Sequence, residues 1–273
     1  MSETHNRIDA TFTALRGAGQ TAMVAFISAG DPTLAATAPM MSALAEGGAH
    51  VIELGVPFSD PVADGPVIQR ASQRALAQGA TLAGILEAVR TFRQTWQTPV
   101  LLFGYINPFL AYGLDRLVAD AVEAGVDGFL VVDLPPEEAG EFRALLDARA
   151  LRLILLVSPN TTEARVAEIA AQASGFIYYV ALKGVTGAAL TDLASVAEGV
   201  ARVKSKTDLP VCVGFGISSP ADAEGIGALA DGIVVGSAIV SRVEEHGEAA
   251  PAQVRELVST LAGALRGAPP ASA

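Results

Sequence analysis

The sequence contains few of the residues that form disulfides or hold metals. Its 273 residues include one cysteine, Cys212, and three histidines, His5, His50 and His246, which are far apart in the chain. A single cysteine excludes an internal disulfide, and the histidine spacing does not match that of a metal site. We therefore expect a protein without disulfides and without a bound metal.

Basic residues and long apolar runs are also scarce. The chain has 18 lysines and arginines against 29 aspartates and glutamates, a net charge of −11. Phosphate backbones and anionic membranes would repel such a chain. The mean hydropathy of +0.42 is high, but no apolar run approaches the roughly 18 residues of a spanning helix, and residues 1–7 lack the apolar stretch of a signal peptide. The sequence thus favours a cytoplasmic protein that binds neither nucleic acid nor membrane.

Short apolar runs alternate with longer segments of helical period, the pattern typical of βα units around a parallel sheet. The runs are almost continuously apolar, as expected of strands that are covered on both faces. The predicted strands are Met23–Ser28, Val51–Leu54, Val100–Phe103, Gly128–Val132, Leu153–Val157, Phe176–Val180, Val211–Val213 and Ile233–Val235.

Eight such units close into a barrel. A doubly wound open sheet is the alternative, but it needs Gly-x-Gly-x-x-Gly after the first strand, where this chain reads Ala29-Gly-Asp-Pro-Thr. We therefore predict an α/β fold, a (β/α)8 TIM barrel that fills residues 1–273 as a single domain. Its regular helices include Ala35–Ala45 and Leu114–Ala124. Extra helices are expected at the N-terminus and in the loops after strands two and eight, with a disordered tail at 267–273.

Two carboxylates mark the region after the second strand. Glu53 ends an otherwise apolar strand, and Asp64 returns 11 residues later from a loop rich in proline and glycine. Burial raises the pKa of a carboxyl group and suits it to acid–base chemistry near neutral pH. Two carboxylates in different environments can divide the acid and base roles. A paired structural glutamate and an ordinary turn aspartate would give the same pattern, so the residue types alone do not decide.

Glycines follow the late strands. Gly214 and Gly216 come after strand seven, Gly236 and Ser237 after strand eight, and the segment 184–187 after strand six. Loops at these places in a barrel often bind phosphate through backbone N–H groups. Glycine lets a ligand approach the backbone closely, and Ser237 is expected to cap the following helix. Three such loops in this order favour a phosphate site over ordinary turn glycines.

Lys183 offers a different chemistry, because a Schiff-base aldolase could place its amine after strand six. It lies three residues beyond the predicted strand end, however, beside Gly184 and outside the apolar pocket that would lower its pKa. We therefore interpret it as a solvated loop charge, and Cys212 as a core residue. A planar aromatic substrate could use aromatic residues near the strand ends that are otherwise core, namely Phe26, Phe103, Tyr105, Phe129 and Tyr178.

The segment Glu53-Leu-Gly-Val-Pro-Phe-Ser-Asp-Pro-Val-Ala-Asp-Gly-Pro strongly resembles the signature of the tryptophan synthase α subunit family. The similarity continues with Gly30-Asp-Pro, Gly184-Val-Thr-Gly, Gly214-Phe-Gly-Ile-Ser-Ser-Pro and Gly236-Ser-Ala-Ile-Val, over about residues 8–265. The resemblance implies a (β/α)8 barrel that cleaves indole-3-glycerol phosphate to indole and glyceraldehyde 3-phosphate. It also implies an αββα complex, in which indole passes to a β subunit. Pyridoxal phosphate is then expected in that partner and no cofactor in this chain.

The resemblance also implies roles for individual residues. Glu53 matches the catalytic acid–base, Asp64 the second catalytic carboxylate and Tyr178 a tyrosine beside the substrate. Gly187, Gly216, Gly236 and Ser237 match phosphate binders, to which Gly214 is added from its place after strand seven. Phe26, Phe103 and Leu130 match the indole pocket, and Asp60 and Asn107 match positions that face the β subunit.

The expected chemistry fits the residues that are present. Without a metal cluster or a convincing Schiff-base lysine, the substrate must supply its own electron sink, which protonation at indole C3 would create. We assign Glu53 to proton transfer and Asp64 to the indole N–H. Three alternatives stay open: a stand-alone lyase that releases indole, an aldolase that uses Lys183, and a non-catalytic barrel that binds phosphate and acts as a partner.

Overall fold

The computed structural model describes residues 6–181, 193–214 and 216–265. Their strands form a closed barrel of eight parallel strands that follow one another in sequence order, with the last bonded to the first. The predicted barrel is confirmed, and each predicted strand end lies within one residue of the observed one. The strands are β1 Ala22–Ser28, β2 Val51–Gly55, β3 Val100–Gly104, β4 Gly128–Val131, β5 Arg152–Val157, β6 Ile177–Val180, β7 Val211–Gly214 and β8 Gly232–Val235.

Helices alternate with the strands and surround them. The second predicted helix matches the observed bounds, and the first lies within the observed one. The extra helices predicted at the N-terminus and after the second and eighth strands are confirmed, as Arg7–Gly17, Pro66–Ala77 and Ser237–His246. The helices are α1 Arg7–Gly17, α2 Leu34–Gly47, α3 Pro66–Ala77, α4 Leu82–Arg93, α5 Ile106–Tyr112, α6 Leu114–Ala124, α7 Gly140–Asp147, α8 Glu163–Gln172, α9 Leu193–Lys204, α10 Pro220–Gly227, α11 Ser237–His246 and α12 Ala250–Leu265.

Helix α5, in the loop after β3, is an addition that the sequence analysis missed. It has seven residues, with Pro108 in its first turn, where a missing N–H costs no intrahelical bond. A helix of two turns is too short to show an apolar stripe, so hydrophobic periodicity does not reveal it. The single domain over 1–273 stays a prediction, and the tail 267–273 lies outside the described residues.

Helix α1 closes the amino-terminal end of the barrel. The ring of Phe12 lies 5.5 Å from that of Phe176, within the cluster of side chains that fills the barrel interior. Asn6 caps the helix by accepting a hydrogen bond from the Ile8 N–H at 2.9 Å, and its amide donates to the backbone oxygen of Asp127 at 2.8 Å. Because side chains fill this end, a ligand reaches the interior from the carboxyl ends of the strands.

Side chains that alternate along the strands fill the interior in levels, as in other small barrels. Val24, Leu101, Ile154 and Cys212 belong to this buried cluster. Cys212 is therefore a core residue, as predicted. Nearer the carboxyl ends the interior carries larger and more polar side chains, and there the cavity described below begins.

Replacing Phe12 with alanine should lower the free energy of unfolding by about 3–5 kcal/mol, because the truncation leaves a cavity under the barrel. Urea unfolding of the two proteins measures the loss. The matched control is Val122→Ala on the outer face of α6, where 38% of the valine is exposed and a change within about 0.5 kcal/mol is expected. Equal effects of the two substitutions would show that the contact between α1 and the barrel contributes little.

Candidate active site

A cavity of about 490 Å³ opens at the carboxyl ends of the strands, within the size range of small-molecule sites. It combines two carboxylates, an aromatic side and a glycine-rich side. Its lining residues are Phe26, Glu53, Ala63, Asp64, Gly65, Ile68, Phe103, Val132, Leu156, Tyr178, Val180, Ala181, Gly214, Gly216, Val234, Gly236 and Ser237.

Glu53 projects from β2 into the bottom of this cavity. It is 1% exposed, and strand pairing places Phe26 and Leu101 beside it. Among the described residues, its Oε1 atom is buried and has no hydrogen-bond partner. Burial raises the pKa of Glu53 to about 8, because the ionised form loses its hydration. At neutral pH the carboxyl group therefore carries a proton that faces an open cavity.

Asp64 reaches the same cavity from the loop that joins β2 to α3. The loop turns back through a hydrogen bond from the Asp64 N–H to the Pro61 backbone oxygen at 3.0 Å. The Gln69 side chain donates to the backbone oxygen of Asp64 at 2.9 Å. Burial raises the pKa of Asp64 to about 6, while a hydrogen bond from Tyr105 acts in the opposite direction. The structure thus brings both predicted carboxylates to one cavity, with different proton affinities.

A network of ion pairs fixes α3, the helix that follows Asp64. Arg74 donates two hydrogen bonds to the buried carboxylate of Asp31, at 2.9 and 2.8 Å, and a third to Glu244 at 2.8 Å. Arg70 donates to both oxygens of Glu244 at 2.7 Å. Bidentate contacts of this kind restrict geometry as well as adding energy. The network joins the β1 loop, α3 and α11, three elements that surround the cavity.

Tyr178 lies on the opposite side of the interior, on β6. Its hydroxyl occupies the space in which a side chain at Gly214 would lie, since a Cβ there would be 2.2 Å from the Tyr178 oxygen. The packing of Tyr178 is thus a sufficient reason for a glycine at position 214, apart from any contact with phosphate. Burial raises the pKa of Tyr178 well above its usual value, so the hydroxyl keeps its proton.

The glycine-rich side of the cavity is formed by β7, β8 and the start of α11. Gly216 has a φ of +61°, a conformation that favours glycine. The cap of α11 is Gly236, with no side-chain cap hydrogen bond, so the expectation that Ser237 caps this helix is wrong. Because the cap residue lacks a side chain, the first N–H groups of the helix can face an anion. Gly187, Gly184 and Lys183 lie outside the described residues.

The aromatic side of the cavity contains Phe26 and Phe103, whose rings meet edge to face at 5.2 Å between centroids. Leu130 was expected there as well, but it is fully buried in the interior cluster and does not line the cavity. Val132, two residues farther along, does. Side chains two apart on a strand share a face, so Val132 lies one level nearer the opening than Leu130.

A family model for the tryptophan synthase alpha chain matches residues 12–267. The chain belongs to the tryptophan synthase alpha chain family. This confirms the resemblance drawn from the segment 53–66. The family is a lyase family, and the chain is an enzyme of that class.

Individual relatives resemble the chain over nearly its full length. The tryptophan synthase alpha chain of Geobacter sulfurreducens is 51% identical over 261 residues, 96% of this chain and 98% of that protein. The alpha chain of Laribacter hongkongensis is 50% identical, over 95% and 99% of the two chains. The crystal structure of the alpha subunit from Legionella pneumophila str. Paris is similar with a TM-score of 0.90 at 40% identity, covering 96% of this chain and 99% of that chain.

Two residues that the family resemblance assigned to a partner follow β2 and β3, at the end of the barrel where the cavity opens. Asp60, in the loop after β2, and Asn107, in α5, are both exposed. Apolar side chains accompany them, with Val62 86% exposed and Leu110 54% exposed. The loops after two neighbouring strands therefore combine exposed apolar and polar side chains at one end of the barrel.

The described residues of this chain contain neither a metal site nor a membrane-spanning helix. Over residues 6–181, 193–214 and 216–265, no group of three or more His, Cys, Asp or Glu side chains is placed to hold a metal ion. None of the helices in these ranges is long and apolar enough to cross a bilayer.

Several cavity residues were missed by the sequence analysis. Ile68 lines the cavity from α3, and Leu156 from β5, because alternation along the element brings them to the inner face. Tyr105, named above as a core aromatic that a planar substrate could use, is buried and does not line the cavity. The partners of Arg74 had no signal in the sequence, since Asp31 and Glu244 are far away in the chain.

Glu53→Gln should stabilise the fold increasingly as the pH rises. The pKa of Glu53 is about 8 in the folded chain and near its ordinary value of about 4.5 when unfolded, so the wild type loses stability as pH rises between these values. Relative to Glu53→Gln, the wild type should lose about 3 kcal/mol between pH 5 and pH 8. Urea unfolding of both proteins at the two pH values measures this difference.

Exposed Glu87 on α4 provides the matched control, and Glu87→Gln should change the free energy of unfolding by a similar small amount at both pH values. If the difference in unfolding free energy between Glu53→Gln and the wild type does not grow with pH, Glu53 is not a buried, protonated carboxyl group.

Proposed function

We propose that this chain cleaves indole-3-glycerol phosphate to indole and glyceraldehyde 3-phosphate, as the α subunit of a tryptophan synthase. The observation that carries the proposal is the pairing of Glu53 and Asp64 in one cavity, with pKa values of about 8 and about 6. Near neutral pH the first can donate a proton while the second is ionised. A carbon–carbon cleavage that begins with protonation of an indole ring needs this combination.

The phosphate of the substrate is proposed to bind at the start of α11. Gly216, Gly236 and Ser237 line this side of the cavity, and the N-terminal N–H groups of a helix favour an anion. Gly187 is proposed to complete the site from the segment after β6. Gly214 lines the same side, although its contact with Tyr178 already accounts for its identity.

The indole ring is proposed to occupy the opposite side of the cavity. Phe26 and Phe103 offer aromatic edges and faces, and Val132 and Leu156 extend the apolar surface. Leu130 supports this wall from one level below. An apolar pocket of this kind orients a planar ring, while a few polar groups set its position.

Glu53 is proposed to move the proton in both halves of the reaction. Its carboxyl group donates a proton to indole C3, which turns the ring into a cationic electron sink. The carboxylate that remains takes the proton from the hydroxyl on the adjoining glycerol carbon. As that oxygen forms an aldehyde, the bond from the carbon to C3 breaks, and its electron pair restores the neutral indole. Glu53 ends the cycle protonated, as it began.

Asp64 is proposed to accept a hydrogen bond from the indole N–H. The positive charge that develops on the ring nitrogen is then opposed by an ionised carboxylate in a partly buried site, where electrostatic effects are stronger than in water. Tyr178 keeps its proton and lies close enough to Glu53 for the carboxylate to raise its pKa further. Its hydroxyl is proposed to lie beside the substrate.

A β subunit is the proposed partner, in an αββα complex, and would hold the pyridoxal phosphate that converts indole further. Asp60 and Asn107 are proposed to face it. Val62 and Leu110 are exposed after β2 and β3, which supports a docking surface at this end of the barrel, since large exposed apolar side chains are found at interaction sites. Indole leaving the cavity would then enter the partner rather than the solvent.

The first prediction for this function concerns Glu53. The wild-type chain should release indole from indole-3-glycerol phosphate, slowly alone and faster when a tryptophan synthase β subunit is added. Glu53→Gln should lower turnover by at least about 10²–10⁴-fold, the usual contribution of an acid–base group. Indole formation, measured with and without the β subunit, is the assay.

Glu87→Gln, on the outer face of α4, is the control and should retain wild-type turnover. Near-normal turnover of Glu53→Gln would refute its assignment. Fast release without the partner would indicate a stand-alone lyase, and no release by the wild type under either condition would refute the proposed reaction.

The second prediction concerns the docking surface. Leu110→Asp places a charge on an exposed apolar position of α5, and the β-subunit concentration needed for half-maximal activation should rise about tenfold or more, since burying an unpaired charge is costly. Titration of the chain with β subunit measures this concentration. Val122→Asp is the matched control, because Val122 lies near the C-terminal end of α6, toward the closed end of the barrel. Equal effects of both substitutions would exclude a docking surface at α5.

A further inference from the structure

Tyr105 has no part in the mechanism above, yet it lies directly beneath the loop that carries Asp64. It follows β3 and is 2% exposed. Its ring packs against Phe58 at 5.4 Å between centroids, so the start of the loop rests on it. The end of the loop contacts the same residue, because the Ala63 N–H donates a hydrogen bond to the Tyr105 hydroxyl at 3.0 Å.

The Tyr105 hydroxyl is therefore shared between two groups of this loop. It accepts a hydrogen bond from the Ala63 N–H at 3.0 Å, and it lies close enough to the adjoining Asp64 carboxylate to lower the pKa of that group. A phenol has one proton to donate. Because the Ala63 N–H points at the oxygen, the proton is free for the neighbouring Asp64 carboxylate. Backbone and side chain of consecutive residues are thus oriented by a single oxygen atom.

We propose that Tyr105 is a positioning residue for the cleavage reaction, whose hydroxyl holds the Asp64 carboxylate toward the cavity that Glu53 enters from below. This inference rests on the proposed function, because it assigns Tyr105 to the same reaction. Tyr105 acts through Asp64 and need not touch the substrate itself.

The electrostatic surroundings explain why such a contact matters. Asp64 shares its cavity with Glu53 from β2 and Tyr178 from β6, and the Tyr105 hydroxyl also lies in the field of Asp133, which follows β4. Burial raises the pKa of Asp64, and the hydrogen bond from Tyr105 lowers it, with a net value of about 6. Burial and the neighbouring carboxylate raise the pKa of Tyr105 to about 12, so it remains a donor throughout the working range.

Removing the Tyr105 hydroxyl should raise the pKa of Asp64. Without its donor, the ionised form of Asp64 loses a charge-assisted hydrogen bond, so its pKa rises above about 6. Since the proposed reaction needs ionised Asp64, the acidic limb of the activity profile should move to higher pH. A residue that only supports the fold would lower activity at every pH without moving this limb.

The test is Tyr105→Phe, which keeps the ring and its contact with Phe58. The acidic limb of kcat/KM for indole-3-glycerol phosphate should shift upward by about one pH unit, and the loss of activity should shrink as the pH rises to 8. The substrate phosphate also ionises near pH 6, but it does so equally for every variant. Tyr112→Phe is the matched control, because that hydroxyl donates to Asp120 at 2.6 Å on the outside of the barrel; its profile should match the wild type.

A double-mutant comparison separates positioning from direct action. If Tyr105 acts through Asp64, Tyr105→Phe should change turnover by less than about twofold in an Asp64→Asn background. The proposal would be overturned if Tyr105→Phe lowered turnover by the same factor in the Asp64→Asn background as in the wild type. It would also be overturned if the acidic limb of the kcat/KM profile did not move.

NMR titration of the Asp64 carboxyl carbon in the wild type and in Tyr105→Phe, assigned with Asp64→Asn, reads the same shift without substrate. If Asp64 titrates at higher pH in Tyr105→Phe than in the wild type, but the wild type cleaves no substrate, the proposed function is refuted and the contact between Tyr105 and Asp64 stands. If the wild type is active and Tyr105→Phe leaves the Asp64 titration unchanged, this inference is refuted. Should Tyr105→Phe not fold, 3-fluorotyrosine at position 105 retains the hydroxyl as a stronger donor, and it should shift the Asp64 titration to lower pH.

Discussion

The carboxyl group of Glu53 is buried among apolar side chains, and most features of the site depend on the consequences of that burial. Desolvation keeps the carboxyl protonated up to about pH 8, so a group that would be an anion on the surface is an acid here. The barrel makes this possible because α1 fills one end and the strands exclude water on all sides. The cavity at the other end supplies the one direction in which the proton can leave.

A second carboxylate in the same cavity must differ from the first, since two equivalent acids could not divide the roles of donor and anion. The two carboxyl groups differ in pKa because they lie at different depths in the barrel. Glu53 lies on a strand in the interior, whereas Asp64 lies on a loop near the mouth and receives a hydrogen bond. The loop keeps this position because α3 directly follows it and is held by Arg74 to Asp31 and Glu244. Glu244 belongs to α11, whose opposite end forms the proposed phosphate site, so one network fixes the elements at both ends of the proposed substrate.

The sequence predicted the strands to within one residue because their apolar runs are bounded by glycine, proline and charged residues. It also predicted the two carboxylates, as Glu53 is conspicuous in an apolar strand. The family resemblance assigned Leu130 to the indole pocket, but it carries no information on the level at which a side chain lies, and Val132 lines the cavity instead. Ser237 was expected to cap α11 because serine favours caps, but the cap is set by where the backbone leaves β8. The contacts of Arg74 and Tyr105 join residues that only the folded chain brings together.

Glycine illustrates why residue type alone is ambiguous at such a site. Gly214 and Gly216 are separated by one residue and suggest a single phosphate loop. The structure, however, requires glycine at the two positions for different reasons. Gly216 adopts a positive φ, which a side chain would strain. Gly214 has ordinary strand geometry, and it is small because the hydroxyl of Tyr178 fills the space beside it. A substitution at 214 would therefore act through Tyr178, whereas one at 216 would act on the backbone of the proposed phosphate end.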